Sequence, residues 1–208
     1  MIVDDDAMVR GFLRTILTKS GLDVVAEAAD GDEVVTAVQA HHPDVVLMDL
    51  RMERMDGIRA TAATAALPSP PGVIAMTSFD TESAILDAVH AGAAGFLAKD
   101  AGPDELVAAV RSVAAGEGAL SPRAARVVME QVGSRPAARG QREARELLAQ
   151  LTDREREIAG AVAEGLSNAQ IAERLFLGEA TVKTHLTRAT TRLGVNRVQL
   201  ALLVDRAG

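Results

Sequence analysis

The 208-residue chain contains no cysteine. Disulfides, thiolate metal sites and thiol nucleophiles are therefore excluded together. Its four histidines, His41, His42, His90 and His185, follow no metal-binding spacing. No apolar run approaches the ~20 residues that a membrane-spanning helix requires. Met1-Ile2-Val3 runs straight into three aspartates, which is unlike a secretory leader. The expectation is a cytoplasmic protein with no membrane partner. An excess of positive charge is also lacking, because the formal net charge is −7. A nucleic-acid partner must then be sought in where the charges lie, not in their total.

What is present is 48% hydrophobic and 25% charged residues, the balance of a folded globular chain. The length suits one large domain or two small ones. Residues 1–122 carry 8 Lys/Arg against 19 Asp/Glu, residues 123–147 carry 6 against 3, and residues 148–208 carry 8 against 7. An acidic first part followed by a near-neutral second part predicts two units with different partners.

Apolar runs at Met1–Val3, Val24–Ala28, Val45–Met48, Val73–Met76 and Gly95–Ala98 alternate with helical patterns. Those patterns cover about 7–19, 32–40, 57–66, 81–91 and 103–115. In the first, Val9, Phe12, Leu13, Ile16 and Leu17 share one stripe, and Gly21 ends it. The alternation predicts an α/β doubly wound fold, a five-stranded parallel sheet with helices on both faces. A helical piece near Pro122–Val132 follows, and 133–140 reads as an exposed linker. From about Gln141 the pattern is helical to the end.

In such sheets ligands bind beyond the carboxyl ends of the strands. Asp4 and Asp5 follow the first strand, Asp49 the third, Thr77-Ser78 the fourth and Lys99 the fifth. With strand order 2-1-3-4-5 these ends are neighbours. One such aspartate alone is an ordinary turn or cap residue, and one lysine an ordinary solvated charge; the combination is different. Converging carboxylates raise one another's pKa unless a cation sits among them. Mg²⁺, a hard ion that keeps waters for phosphate oxygens, suits the set. Asp49 can then attack phosphorus while Lys99 neutralises the developing charge. A phosphatase with an aspartyl nucleophile is a rival, but it lacks the second acid two residues on, where Arg51 stands.

The segments Ile2-Val3-Asp4-Asp5, Asp44 to Met52, Met55-Asp56-Gly57, Ala75-Met76-Thr77-Ser78 and Gly95 to Asp100 resemble the receiver domain of bacterial response regulators. The resemblance implies a flavodoxin-like fold and phosphorylation of Asp49 by a sensor histidine kinase. It makes Asp5 a direct Mg²⁺ ligand, Asp4 a ligand through water and the Arg51 backbone carbonyl another. Thr77 would bond the phosphoryl group, Lys99 would pair with it, and Phe96 would turn inward as the switch aromatic. Arg51 and Phe79 occupy positions that tune phosphate lifetime. Only three residues precede the acid pair, so the first strand is short, and Glu53 stands where the family usually has proline.

Further on, Thr152-Asp153-Arg154-Glu155 and Ser167-Asn168-Ala169-Gln170 are capping boxes. A helix from about Glu179 to Leu193 has an apolar stripe of Val182, Leu186, Ala189 and Leu193. Its other side carries Lys183, Thr184, Thr187, Arg188 and Thr191, with Arg192 nearby. By charge alone this is an ordinary solvated helix face. The segments Leu151 to Glu157, Gly165 to Ala172 and Ala180 to Leu186, however, resemble the LuxR-type DNA-binding domain, and the whole chain resembles the NarL/FixJ response regulators. That likeness implies base contact by Lys183 and Thr184, with Thr187 one turn further. It gives Arg188 to phosphate, with Ser167 and Asn168 helping position it. Gly178 replaces the usual hydroxyl cap. The last helix, Arg197–Asp205, reads as apolar on two sides, and the likeness makes Val198, Ala201 and Leu202 a homodimer surface.

The implied organisation is a receiver over 1–117, a linker with a helix over 118–146 and a small all-α helix-turn-helix domain over 147–208. It would be a transcription factor on double-stranded promoter DNA, and no enzyme beyond its own aspartyl phosphorylation and dephosphorylation. The alternative is a dimeric regulator whose receiver does not switch.

Overall fold

Ile2–Val3 form strand β1, which pairs in parallel with Glu27–Ala28 (β2) on one side and with Val45–Asp49 (β3) on the other. This computed structural model describes residues 1–78, 81–133 and 138–208. Phe79 and the linker residues 134–137 lie outside the described residues. Gly72–Thr77 (β4), Gly95–Ala98 (β5) and Ala119–Leu120 (β6) complete one parallel sheet of order β2-β1-β3-β4-β5-β6. The expected order of five strands holds, and β6 adds a sixth beyond β5, with Phe96 registered on Leu120. Two residues without a clear alternation leave no periodic signal, so β6 was not legible. The second strand is shorter than the run Val24–Ala28 suggested.

The helices between the strands are α1 (Ala7–Lys19), α2 (Val34–His41), α3 (Gly57–Ala65), α4 (Glu82–Ala91) and α5 (Pro103–Ala114). Successive strand side chains alternate between two apolar layers. Ile2, Leu47 and Ile74 join Leu13, Leu17 and Leu106 in one layer. Val3, Val46, Met48 and Val73 join Val34, Val38 and Ala60 in the other. Phe12, expected on the buried stripe of α1, is 62% exposed. The stripe is therefore narrowed to Val9, Leu13, Ile16 and Leu17.

The chain divides into two compact units, Met1–Ala125 and Arg126–Gly208. Helix α6 (Pro122–Gly133) bridges that division in sequence, followed by α7 (Ala138–Leu148), α8 (Asp153–Ala163), α9 (Asn168–Leu175), α10 (Glu179–Leu193) and α11 (Arg197–Ala207). Residues 138–140 of the expected linker are thus helical. Ile158, Val162, Ile171, Val182, Leu186, Ala189 and Leu200 form the core of the second unit. Both expected capping boxes are made, and Asn196 with Gln199 makes a third at α11.

The homodimer surface expected on the last helix is not an exposed stripe in this chain. Val198 is 8% and Leu202 7% exposed, while Ala201 packs against the core. Helix α7 lies against α11, and Arg145 Nε donates to the Ala207 carbonyl at 2.7 Å. The apolar residues of α11 on both sides therefore have partners within the same unit.

Two predictions follow from these contacts. A Cβ on Gly57 would lie 1.9 Å from the Asp49 carbonyl oxygen, whereas one on Gly11 meets nothing within 4 Å. Gly57→Ala should destabilise the first unit by about 1–3 kcal/mol, and Gly11→Ala, inside α1, should stabilise it by up to about 1 kcal/mol. Urea unfolding followed through amide resonances of β3 measures both, and equal shifts would refute the steric account.

Glu155 is 2% exposed. The Thr152 backbone N–H, followed by the Thr152 hydroxyl and the charges of Arg192 and His185, outweighs burial and holds its carboxyl below the usual range. A depressed carboxyl stabilises the fold above its unfolded pKa and loses that contribution as pH falls through the folded value. Glu155→Ala should cost about 1–2 kcal/mol at neutral pH. The gap should narrow below about pH 4, as read from urea unfolding of α8 amides at the two pH values.

Candidate functional site

The parallel register places the ends of β1, β3, β4 and β5 side by side. Asp49 pairs with Met76 and Thr77 with Ala98, so the residues that close or follow these strands converge. Asp4, Asp49 and Thr77 are 1%, 4% and 3% exposed. Lys99 Nζ lies 2.7 Å from Asp4 Oδ2 and 3.0 Å from Asp49 Oδ2. The Lys99 backbone N–H donates to the Thr77 carbonyl at 2.9 Å. Asp5 is exposed, yet Asp4, Asp5 and Asp49 each offer a carboxylate oxygen, all within 4.8 Å of one another. Phe96 is 1% exposed, already inside the protein.

Burial pushes the Asp49 carboxyl up, and the Asp4 charge adds to this, while the Lys99 ammonium and the Arg51 backbone N–H only partly oppose it. Burial alone would lower Lys99, but its bonds to Asp4 and Asp49 outweigh that and keep it above the ordinary lysine range. The pocket therefore holds one fixed ammonium against three carboxylates. An all-oxygen donor set with surplus negative charge fits a hard divalent cation.

Residues behind the pocket were not singled out from the sequence. Arg10 Nη1 donates to the Asp4 carbonyl at 2.7 Å and to the Asp5 carbonyl at 3.3 Å, and Arg10 Nε is 3.4 Å from Glu27. Asp6 caps α1 by accepting from the Met8 N–H at 2.7 Å. The loop after Asp49 is held by Leu50 N to the Met76 carbonyl and Gly57 N to the Leu50 carbonyl, both 3.1 Å. Asp30 accepts the N–H groups of Arg54 and Met55. Asp30 stands two residues beyond the second strand, and its partners Arg54 and Met55 lie 24 and 25 residues further on, so no local pattern marks it.

In the second unit Lys183, Thr184, Thr187 and Arg188 are all exposed on α10. The Thr184 hydroxyl donates to the Ala180 carbonyl at 2.9 Å, so its lone pairs face outward. Gly178 begins α10 without a side-chain cap. Ser167 caps α9, its hydroxyl accepting from the Gln170 N–H. Asn168 is 3% exposed, and its Oδ1 accepts from Arg197 Nη1 at 2.7 Å; it sits inside the unit, not on the α10 face. Arg192, which the sequence places near that face, instead donates to the Gln150 carbonyl and lies 3.6 Å from Glu155. Phe176, in the turn before α10, is 96% exposed with φ of 54°.

Comparison with known proteins matches both units. Residues 1–111 match the response regulator receiver domain, and residues 149–204 match the bacterial regulatory proteins of the luxR family. The chain is 38% identical over 211 residues to the uncharacterized transcriptional regulatory protein YxjL of Bacillus subtilis (strain 168), covering 100% of this chain and 94% of that protein. It is 38% identical over 197 residues to the DNA-binding transcriptional activator DevR/DosR of Mycobacterium tuberculosis, covering 94% and 88%. The crystal structure of the response regulator ChrA from a heme-sensing two-component system is similar at 40% identity and a TM-score of 0.53, covering 99% of this chain and 94% of that one. No helix among the described residues is long and apolar enough to cross a membrane. The chain therefore belongs to the two-component response regulators that join a receiver domain to a LuxR-type DNA-binding domain.

Proposed function

We propose that Asp49 is the phosphoacceptor of a phosphorylation-switched transcription regulator, with a receiver over 1–117, a helix-containing linker over 118–146 and a DNA-binding domain over 147–208. The observation that carries this reading is the Lys99 ammonium in contact with both Asp4 and Asp49 at the strand ends. A sensor histidine kinase is the phosphate donor, and the protein acts in the cytoplasm. Asp5, Asp49 and the Arg51 carbonyl would hold Mg²⁺ directly, and Asp4 would hold it through a water. The ion's part is to neutralise phosphoryl oxygens. An Asp49 carboxylate oxygen bonds to phosphorus as the P–N bond to the kinase histidine breaks and the imidazole leaves, Lys99 balances the added charge, and Thr77 bonds the phosphoryl group. The same site then releases phosphate to water, and that is the whole of its enzymology.

On DNA, the acid-free stretch of α10 after Glu179 is the face that enters the major groove. Lys183 and Thr184 meet base edges, with Thr187 one turn on. Arg188 meets phosphate, Ser167 places the N-terminus of α9, and Asn168 acts from within by holding Arg197. Promoter DNA is read by a homodimer. Because Val198 and Leu202 are buried within their own unit, pairing through Val198, Ala201 and Leu202 requires them to become exposed.

The short first strand, Ile2–Val3, and Glu53 in the loop after Asp49 favour the second reading, a dimeric regulator that binds DNA without phosphorylation. DNA binding identical with and without a phosphodonor would select it.

Treatment with a small phosphodonor and Mg²⁺ should add one phosphate by intact mass, and Asp49→Asn should abolish the addition. A variant that still gains phosphate overturns the assignment. Lys183→Ala should weaken binding to the operator by about 1–3 kcal/mol and relax discrimination at one base pair. Fluorescence anisotropy on the DNA upstream of its own operon, over a salt series, measures this; unchanged affinity would remove Lys183 from the interface.

A further inference from the structure

The loop between β3 and α3, residues 50–56, contains no proline. It must nevertheless hold one conformation if its backbone is to serve the Asp49 pocket. A different segment supplies the restraint. Asp30 is 4% exposed, and its two carboxylate oxygens accept separately, Oδ2 from the Arg54 N–H at 2.9 Å and Oδ1 from the Met55 N–H at 2.8 Å. The Arg54 side chain reaches back over the same segment, 2.9 Å from Asp32 and 2.5 Å from Glu33. Gly31 permits the approach, since a Cβ there would lie 2.4 Å from the Met55 carbonyl oxygen.

We propose that Asp30 is a positioning residue of the phosphorylation site: by taking the N–H groups of Arg54 and Met55 it fixes the loop after Asp49, and with it the Arg51 carbonyl. The proposal rests on the reading of Asp49 and Arg51 given above. Its physical basis is that Mg²⁺ demands a near-ideal octahedron, and a backbone carbonyl is placed only by fixing the chain that carries it. A carboxylate suits the task because one side chain satisfies two adjacent N–H groups as charge-assisted bonds. The Arg54 side-chain ion pairs with Asp32 and Glu33 are exposed at both ends, and Arg54 Nε stands 3.7 Å from Asp30 Oδ2, beyond hydrogen-bond reach, so the side chain contributes little to the restraint. The hydrogen bonds of Asp30 go to the loop, and it acts through the loop.

The test is Mg²⁺ binding to the full, unphosphorylated chain, followed by amide NMR with MgCl₂ as the only added ligand. Asp30→Ala should raise the Mg²⁺ concentration for half-saturation about ten-fold and speed hydrogen exchange at the Arg54 and Met55 amides. Asp30→Asn, which keeps one acceptor oxygen, should give a shift in the same direction but smaller, and it carries the comparison if the alanine variant does not fold. Arg54→Ala should bind Mg²⁺ as the unaltered chain does. Half-saturation unchanged in the Asp30 variants overturns the proposal, as does an Arg54→Ala shift as large as that of Asp30→Ala. Unaltered protein that binds no Mg²⁺ refutes the reading of the pocket and this proposal with it. Mg²⁺ binding that is present but indifferent to Asp30 refutes the proposal alone.

Discussion

The contact between the Lys99 ammonium and the carboxylates of Asp4 and Asp49 sets the terms for the first unit. Two buried carboxylates at neighbouring strand ends repel each other, and burial weakens the screening that solvent gives. A single ammonium between them meets that demand only if three strands end at the same level. The parallel register of β1, β3, β4 and β5 meets that requirement, and the apolar layers on both faces enforce it, because a one-residue slip would turn Met48 and Val46 into the wrong layer. Fold and site are thus one constraint seen from two sides.

The same logic explains what could be read in advance. Both apolar layers and the members of the set Asp4, Asp5, Asp49, Thr77 and Lys99 lie in local patterns, an apolar run followed by a polar residue, while the strand order that makes them converge comes with the resemblance to receiver domains. Capping boxes are equally local, three residues from acceptor to donor. Arg10, Asp30 and Arg54 were not visible because their partners are carbonyls, N–H groups and acids across the chain; Asp30 and Arg54 are 24 residues apart. The burial of Asn168 was hidden for the same reason, since its partner Arg197 is 29 residues away. Phe12 misled because helical periodicity gives the direction of a stripe but not its width.

The second unit divides its arginines by role in a way that composition conceals. Arg192 and Arg197 are spent within the unit, on the Gln150 carbonyl and on Asn168 and the Leu166 carbonyl. Lys183 and Arg188 are left exposed on α10. A near-neutral total therefore coexists with a positive helix face. Helix α7 shows the converse: what reads as a polar tract between domains contributes Ala144 and Leu148 to buried positions and covers α11.

Strand β6 fixes the exit from the receiver. The polypeptide that leaves α5 does not run free toward the second unit; it is first zipped to β5, with the Ala119 N–H on the Ala94 carbonyl and the Ser121 N–H on the Phe96 carbonyl. β5 is also the strand that ends at Lys99. The outgoing chain and the ammonium of the pocket are consequently mounted on the same rigid rail, four residues long. Lys99 and the outgoing chain are thereby joined through one short run of hydrogen-bonded strand backbone.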